Sequence, residues 1–266
     1  MSNSVQTTTI NPAATAPAPS TPGAPEPSDR ARRIWKKLNV YYERTLLAVF
    51  VVLLLIVLYC LYDTWYVYDH ASDKSLMKYK PSPGNPGSVA DSPITDDYVA
   101  WLTIDDTNID YPVMQGQDNT KYLNLDPYGK YSLSGSIFLD SRNKKDFSDE
   151  YSLVYGHHME YGKMFGALDD FLNEKYLKSH SEGTLIVGKE GTSAYSLKVF
   201  ASMRSSAKDK MIFSPTESTG TEDYIKENAD YYVDHPELSG ARILGLSTCS
   251  EGDSMTRIIV FAYILE

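Results

Sequence analysis

Cys249 stands where the aliphatic run Ile243–Leu246 gives way to the polar stretch Ser250–Ser254, which puts it near the end of a strand, facing a cleft. Arg257 opens the next apolar run eight residues later, and two strands joined by so short a loop bring the pair side by side. An adjacent cation lowers a thiol pKa, and the same guanidinium can donate to a developing oxyanion. A packed cysteine beside a surface arginine is the plain alternative, since free cysteine is among the most buried residue types. A thiol nucleophile also needs a proton carrier. His70, His180 and His235 fall in polar stretches or turns and read as surface residues. His157 and His158 follow the strand-like run Ser152–Tyr155 and Gly156, where a turn presents side chains at the end of a sheet. Neighbouring side chains point opposite ways, so one of the two can reach Cys249. Adjacent histidines without a cysteine or carboxylate at ligand spacing are a poor chelating pattern, so no metal is expected. No carboxylate that would orient His157 is evident, and Asp140 is a candidate.

These residues need strands to hold them, and the second half of the chain supplies strands. Tyr98–Ile104 alternates in period two, Ser136–Leu139 and Ser152–Tyr155 are short β-rich runs, and Thr184–Val187 with Ala194–Met203 reads as a hairpin. Ala241–Leu246 and Thr256–Leu265 are apolar on both faces, as interior strands are. Helical spacing occurs at Met164, Phe165, Leu168, Phe171 and Leu172 and more weakly at Tyr224, Ile225 and Tyr232. With no βαβ alternation, a mainly β, closed barrel with two peripheral helices fits best.

The first third is organised differently. Residues 1–29 are rich in Ser, Thr, Pro and Ala and are expected to be disordered. A basic stretch, Arg30, Arg32, Arg33, Lys36, Lys37 and Arg44, leads into Leu46–Tyr62, 17 uncharged residues. At about 1.5 Å per residue that run spans nearly the whole hydrocarbon core of a bilayer. Tyr59, Tyr62, Trp65, Tyr66 and Tyr68 supply an interfacial aromatic belt. No small-x-small cleavage site follows, which argues against a removed signal peptide. The expected organisation is a cytoplasmic tail with a basic juxtamembrane segment at 1–45, a transmembrane signal anchor at 46–66, an extracellular stalk at 67–92 rich in Pro and Gly, and a folded domain at 93–266. The chain carries 25 Lys and Arg against 35 Asp and Glu, net −10, which excludes the basic surface a nucleic-acid binder needs. The folded domain holds 16 basic and 28 acidic residues, net −12, a balance that suits solubility outside the membrane. Cys60 lies in the apolar run, so it and Cys249 cannot form a disulfide framework.

The segments Leu153–Met159 and Gly162–Gly166, with Leu246–Cys249 and Arg257, resemble the class B sortases. The likeness continues upstream through Ile109–Gly116, Asp118 and Asn119, Tyr122–Asn124 and Gly135–Asp140, and covers essentially residues 93–266. The resemblance implies an eight-stranded sortase-like β-barrel, held by a single-pass anchor at the outer face of a Gram-positive membrane. It implies a cysteine transpeptidase that cleaves an Asn-Pro-X-Thr-X-like sorting signal after Thr and passes the acyl group to an amine. By motif, Cys249 is the nucleophile, His157 the acid/base and Arg257 the oxyanion donor, while Asn119, Leu123 and Ser247 match substrate-groove positions. The long stretch between Met203 and Arg242 would be the family's loop and helix that flank the groove. Partners implied are surface proteins with a C-terminal sorting signal and a peptidoglycan or lipid II amine acceptor, with no cofactor. A pilin-polymerising sortase, a membrane-anchored cysteine peptidase releasing product to water, and a non-catalytic adhesin or receptor domain are the alternatives.

Overall fold

The computed structural model describes residues 28–70, 74–81, 92–191, 193–217, 219–249 and 255–266. The expected disorder of 1–29 falls almost wholly outside them, as do most of the Pro/Gly stretch of the stalk and the polar loop 250–254.

One helix, Asp29–His70, takes in both the basic segment and the apolar run. It begins at Asp29 and not at Leu46 because the chain from Asp29 to His70 contains neither Gly nor Pro, and Arg, Lys and Leu are good helix formers. Its Leu, Val, Ile and Phe side chains from Leu46 to Leu61 are exposed. Among the described residues it is the one helix long and apolar enough to cross a membrane. Beyond it, Lys74–Tyr79 forms a 3₁₀ turn that is not free stalk. Leu76 is buried against the folded domain and Lys80 pairs with Asp110 at 2.9 Å.

Among the described residues nine strands follow: β1 (Tyr98–Ile104), β2 (Asp110–Met114), β3 (Ile137–Leu139), β4 (Tyr151–His157), β5 (Glu182–Val187), β6 (Ser193–Ser206), β7 (Tyr231–Tyr232), β8 (Arg242–Cys249) and β9 (Thr256–Leu265). They pair in the order β5-β1-β2-β3-β4-β8-β9-β6-β7, and β5 also pairs with β6, which closes eight strands into a barrel and leaves β7 as an addition on β6. Two of the pairings, β2 with β3 and β4 with β8, are parallel. The expected hairpin is β5–β6, antiparallel from Glu182↔Lys198 to Val187↔Ser193.

Alternation along the strands sends one set of side chains inward and the other outward. Leu102, Ile104, Val113, Val154, Leu185, Leu197, Leu244, Leu246, Val260 and Ala262 share the interior cluster. Phe165, Leu168 and Phe171 join it, fully buried. Their segment, Phe165–Leu172, is a 3₁₀ helix and part of the core, where the sequence suggested a peripheral helix. The spacing of three residues explains it, since a 3₁₀ helix repeats every three and stacks those side chains on one face.

The outward side chains form two further clusters. Tyr151, Leu153, Phe200, Met203, Ile243, Ile259, Phe261 and Tyr263 are covered by Ile212 and Ile225, from the short helices Lys210–Phe213 and Thr221–Asn228. Trp101, Met114, Tyr122, Phe138 and Ile186 are covered by Leu76 and Ile94. Tyr155 of β4 packs against both clusters and so marks the seam between them.

Candidate active site

The seam runs to the ends of β4 and β8. These strands stay in parallel register from Tyr151↔Ile243 to His157↔Cys249, so the last pair of the ladder sets His157 against Cys249. Paired residues in a parallel ladder share a face, on strands about 4.8 Å apart. On the other side of β8, β9 is antiparallel from Arg242↔Ile264 to Ser247↔Ile259. Two more steps of that register put Arg257 across from Cys249, and a bond from the Ile258 amide to Thr248 Oγ1 at 3.1 Å holds the strands together there. Three neighbouring strands thus bring positions 249, 157 and 257 to one end of the seam. Arg257 is half-buried, and its Nη1 is buried without a hydrogen-bond partner among the described residues.

Packing behind β4 fixes where His157 begins. A Cβ on Gly156 would lie 2.3 Å from Ile137 Cδ1 and 2.8 Å from the Phe165 ring, so glycine lets the core close directly beneath the strand end. The chain then turns back. His158 bridges to Met164, whose backbone takes the unusual values φ 50 and ψ −128 and whose amide donates to the Tyr111 hydroxyl at 3.0 Å. That return directs His158 away from the strand ladder, and its Nε2 meets Asp169 Oδ2 at 2.8 Å. His158 is thus held by Asp169. His180 stacks on Tyr176 with centroids 3.8 Å apart, and His235 bonds Glu237 at 3.2 Å. The side chain of His70 lies outside the described residues.

Asp140, the candidate partner for His157, is engaged by Arg142, Asn119 and Tyr155. It is fully buried, and its carboxylate accepts Arg142 Nε at 2.8 Å, Arg142 Nη2 at 2.7 Å, the Arg142 amide at 3.0 Å, Asn119 Nδ2 at 2.8 Å and the Tyr155 hydroxyl at 3.0 Å. Burial alone would raise its pKa, but the hydrogen bonds and charge of Arg142, with help from Tyr155, hold it below the usual carboxylate range. Of the residues matched to a substrate groove, Asn119 is tied into this cluster and also accepts the Ser141 amide at 2.7 Å. Leu123 packs half-buried on the cluster under Tyr122. Ser247 is fully buried opposite Tyr155 and donates to the Thr248 carbonyl at 3.2 Å. Sequence reasoning passed over Tyr155 and Arg142. Tyr155 could have been found, because it lies two residues before His157 and so on the same face of β4.

A closed barrel with a Cys, a His and an Arg at adjacent strand ends is the architecture of one family in particular. The sortase domain family matches residues 102–265, and the chain belongs to it, on the class B side. It is similar to Sortase B of Staphylococcus aureus, 32% identical over 65% of this chain and 72% of that one. It is also similar to Sortase B of Listeria monocytogenes, 36% identical over 58% of this chain. That match spans 63% of the Listeria protein's length. Among solved structures, a Streptococcus pyogenes class B sortase involved in pilus biogenesis superposes with a TM-score of 0.59 at 37% identity, over 64% of this chain and 93% of that one.

Proposed function

We propose that this protein is a membrane-anchored cysteine transpeptidase that joins surface proteins to a cell-wall amine, with residues 93–266 as its catalytic domain. The observation that carries the reading is the end of the β4–β8 ladder, His157 against Cys249, with Arg257 one strand over. The Cys249 thiolate adds to the Thr carbonyl carbon of an Asn-Pro-X-Thr-X-like signal, and Arg257 donates to the oxyanion that forms. Collapse breaks the C–N bond, and His157 gives its proton to the departing amine, leaving a thioester on Cys249. An acceptor amine then attacks the thioester, His157 takes the proton it sheds, and the thiolate is expelled as the new amide forms. The thioester divides one difficult exchange into two easier ones.

The helix Asp29–His70 is the anchor in this reading, and the basic residues before Leu46 put the N-terminus in the cytoplasm and the barrel outside. The wall peptide or lipid II supplies the amine. A pilin lysine is the second reading, favoured by the similarity to a sortase involved in pilus biogenesis. The test is mass spectrometry of the enzyme after incubation with sorting-signal peptides, with and without an amine. A thioester adduct on Cys249 that passes to the amine supports transpeptidation. Release to water at equal rate with and without amine makes the protein a peptidase, and preference for a pilin lysine over wall peptide selects the second reading.

A further inference from the structure

Among the described residues, Asp140 is the one charged side chain that is wholly withdrawn from water, and its carboxylate is bonded from three directions. Asn119 comes from the loop between β2 and β3, Tyr155 from β4 two residues before His157, and Arg142 from the turn after β3. Arg142 Nη2 reaches further, to the Phe213 carbonyl at 2.7 Å, the end of the first helix in the connection between β6 and β8. One carboxylate thereby ties both sides of the seam to the strand that ends in His157. It also fixes the Asn119 amide. A carboxylate cannot donate and a backbone N–H cannot accept, so Nδ2 must face Asp140 and Oδ1 must face the Ser141 amide. The second hydrogen on Nδ2 is left for another acceptor, in an orientation the cluster decides.

We propose that Asp140 is a positioning residue for peptide recognition: through Asn119, Tyr155 and Arg142 it sets the spacing of the groove walls and presents an amide donor to a carbonyl oxygen of the bound peptide. The proposal rests on the transpeptidase reading above and adds to it a residue whose bonds go to Asn119, Tyr155 and Arg142. Asp140 keeps its counter-charge within the cluster, so the site gains a fixed donor without a net charge beside the peptide. Removing the carboxylate leaves the Arg142 guanidinium, the Asn119 amide and the Tyr155 hydroxyl without their common acceptor, and the walls are then free to shift independently.

The test compares Asp140→Asn, Tyr155→Phe and Arg142→Lys in the full chain, using a sorting-signal peptide and, separately, iodoacetamide, a thiol reagent too small to need the groove. KM for the peptide should rise about tenfold in Asp140→Asn, the scale of leaving buried polar groups unpaired, with a smaller rise in each of the other two. Its kcat should stay within about threefold, as expected when binding and not chemistry is lost. The pH profile of Cys249 alkylation should not move. Asn119→Ala should raise KM in the native background and add little on top of Asp140→Asn, because both remove the same donor. An unchanged KM, full additivity with Asn119→Ala, or a shifted alkylation profile with lost kcat would each overturn the proposal. If Asp140→Asn does not fold, Tyr155→Phe and Arg142→Lys, each leaving the carboxylate in place, decide it on the same measures. Failure of the native enzyme to form a thioester is a separate result, which overturns the transpeptidase reading itself.

Discussion

Cys249, His157 and Arg257 take their places from the peptide ladders of β8, β4 and β9, whereas the segments beside them are placed by side chains. Asp140 gathers the loop at Asn119 and, through Arg142, the Phe213 carbonyl. Asp209 does the same for the connection between β6 and β8, accepting Ser205 Oγ and the Tyr224 hydroxyl at 2.7 Å each and capping Lys210–Phe213 through the Met211 amide at 3.0 Å. A register backed by apolar alternation survives most changes of side chain, because a slip would turn every core residue outward. A wall held by a few buried polar bonds shifts when one atom is replaced. Substitutions in the ladder positions should therefore alter chemistry and leave geometry intact, and substitutions in the polar clusters should do the reverse.

The largest effect should come from the nucleophile. Cys249→Ala should abolish cleavage and transfer with an unchanged thermal transition, and appreciable turnover of a sorting-signal peptide by that variant would remove the thiol mechanism. The paired histidines come next: His157→Ala should lose nearly all activity and His158→Ala, whose partner is Asp169, should keep most of it. Equal or inverted losses in peptide-cleavage rates would reassign the acid/base.

Arg257→Ala should slow acylation by roughly 10²–10³, the loss typical of one oxyanion donor, and Arg257→Lys should recover part of it. If Arg257 worked chiefly by lowering the thiol pKa, raising the pH would rescue the Ala variant completely, so the pH dependence of acylation separates the two roles.

Gly156→Ala tests the boundary between ladder and packing. The added methyl meets Ile137 and Phe165, side chains of the interior cluster, and should cost about 1–3 kcal/mol of stability in a urea titration. A neutral result would mean that the strand end is held by its ladder alone.

The smallest effect is a pH dependence. The pKa of Asp140 is depressed in the folded protein, so the stabilisation it provides is complete above the unfolded carboxylate value, about 3.9, and is lost as pH falls through the lower folded value. The stability difference between native protein and Asp140→Asn should be constant from neutral pH down to about 4 and narrow below it. Urea midpoints that diverge further in acid would contradict that sign.

Most of the barrel was legible because two-sided apolar runs and period-two alternation are local signals. β1 and β9 have the limits the sequence suggests. β2 was not legible, since Pro112 demotes the run as a strand. The structure accommodates it because pairing with β3 begins only at Val113, leaving Pro112 without a neighbour on that side. β7 is two residues long, too short for any periodicity, and Tyr232, whose spacing suggested a helix, belongs to it. At the site, the roles given to positions 157, 249 and 257 are those of the proposal above, and the neighbouring strand ends that carry them were readable from the sequence. The Asp140 cluster was not, because its members come from positions 119, 140, 142, 155 and 213, and nothing in the local pattern at any of them announces the others.

The ladder that sets His157 against Cys249 also imposes an order of events on the growing chain. β4 is complete nearly a hundred residues before β8, the strand that fills its edge, and Arg257 arrives later still. Until then β4 holds an open parallel edge and position 157 has no partner on that side. On the proposed mechanism, a chain still being made therefore neither forms the thioester nor captures a sorting signal. The proposed reactive centre is complete only when the last two strands dock, so any brake on their docking is a brake on premature chemistry.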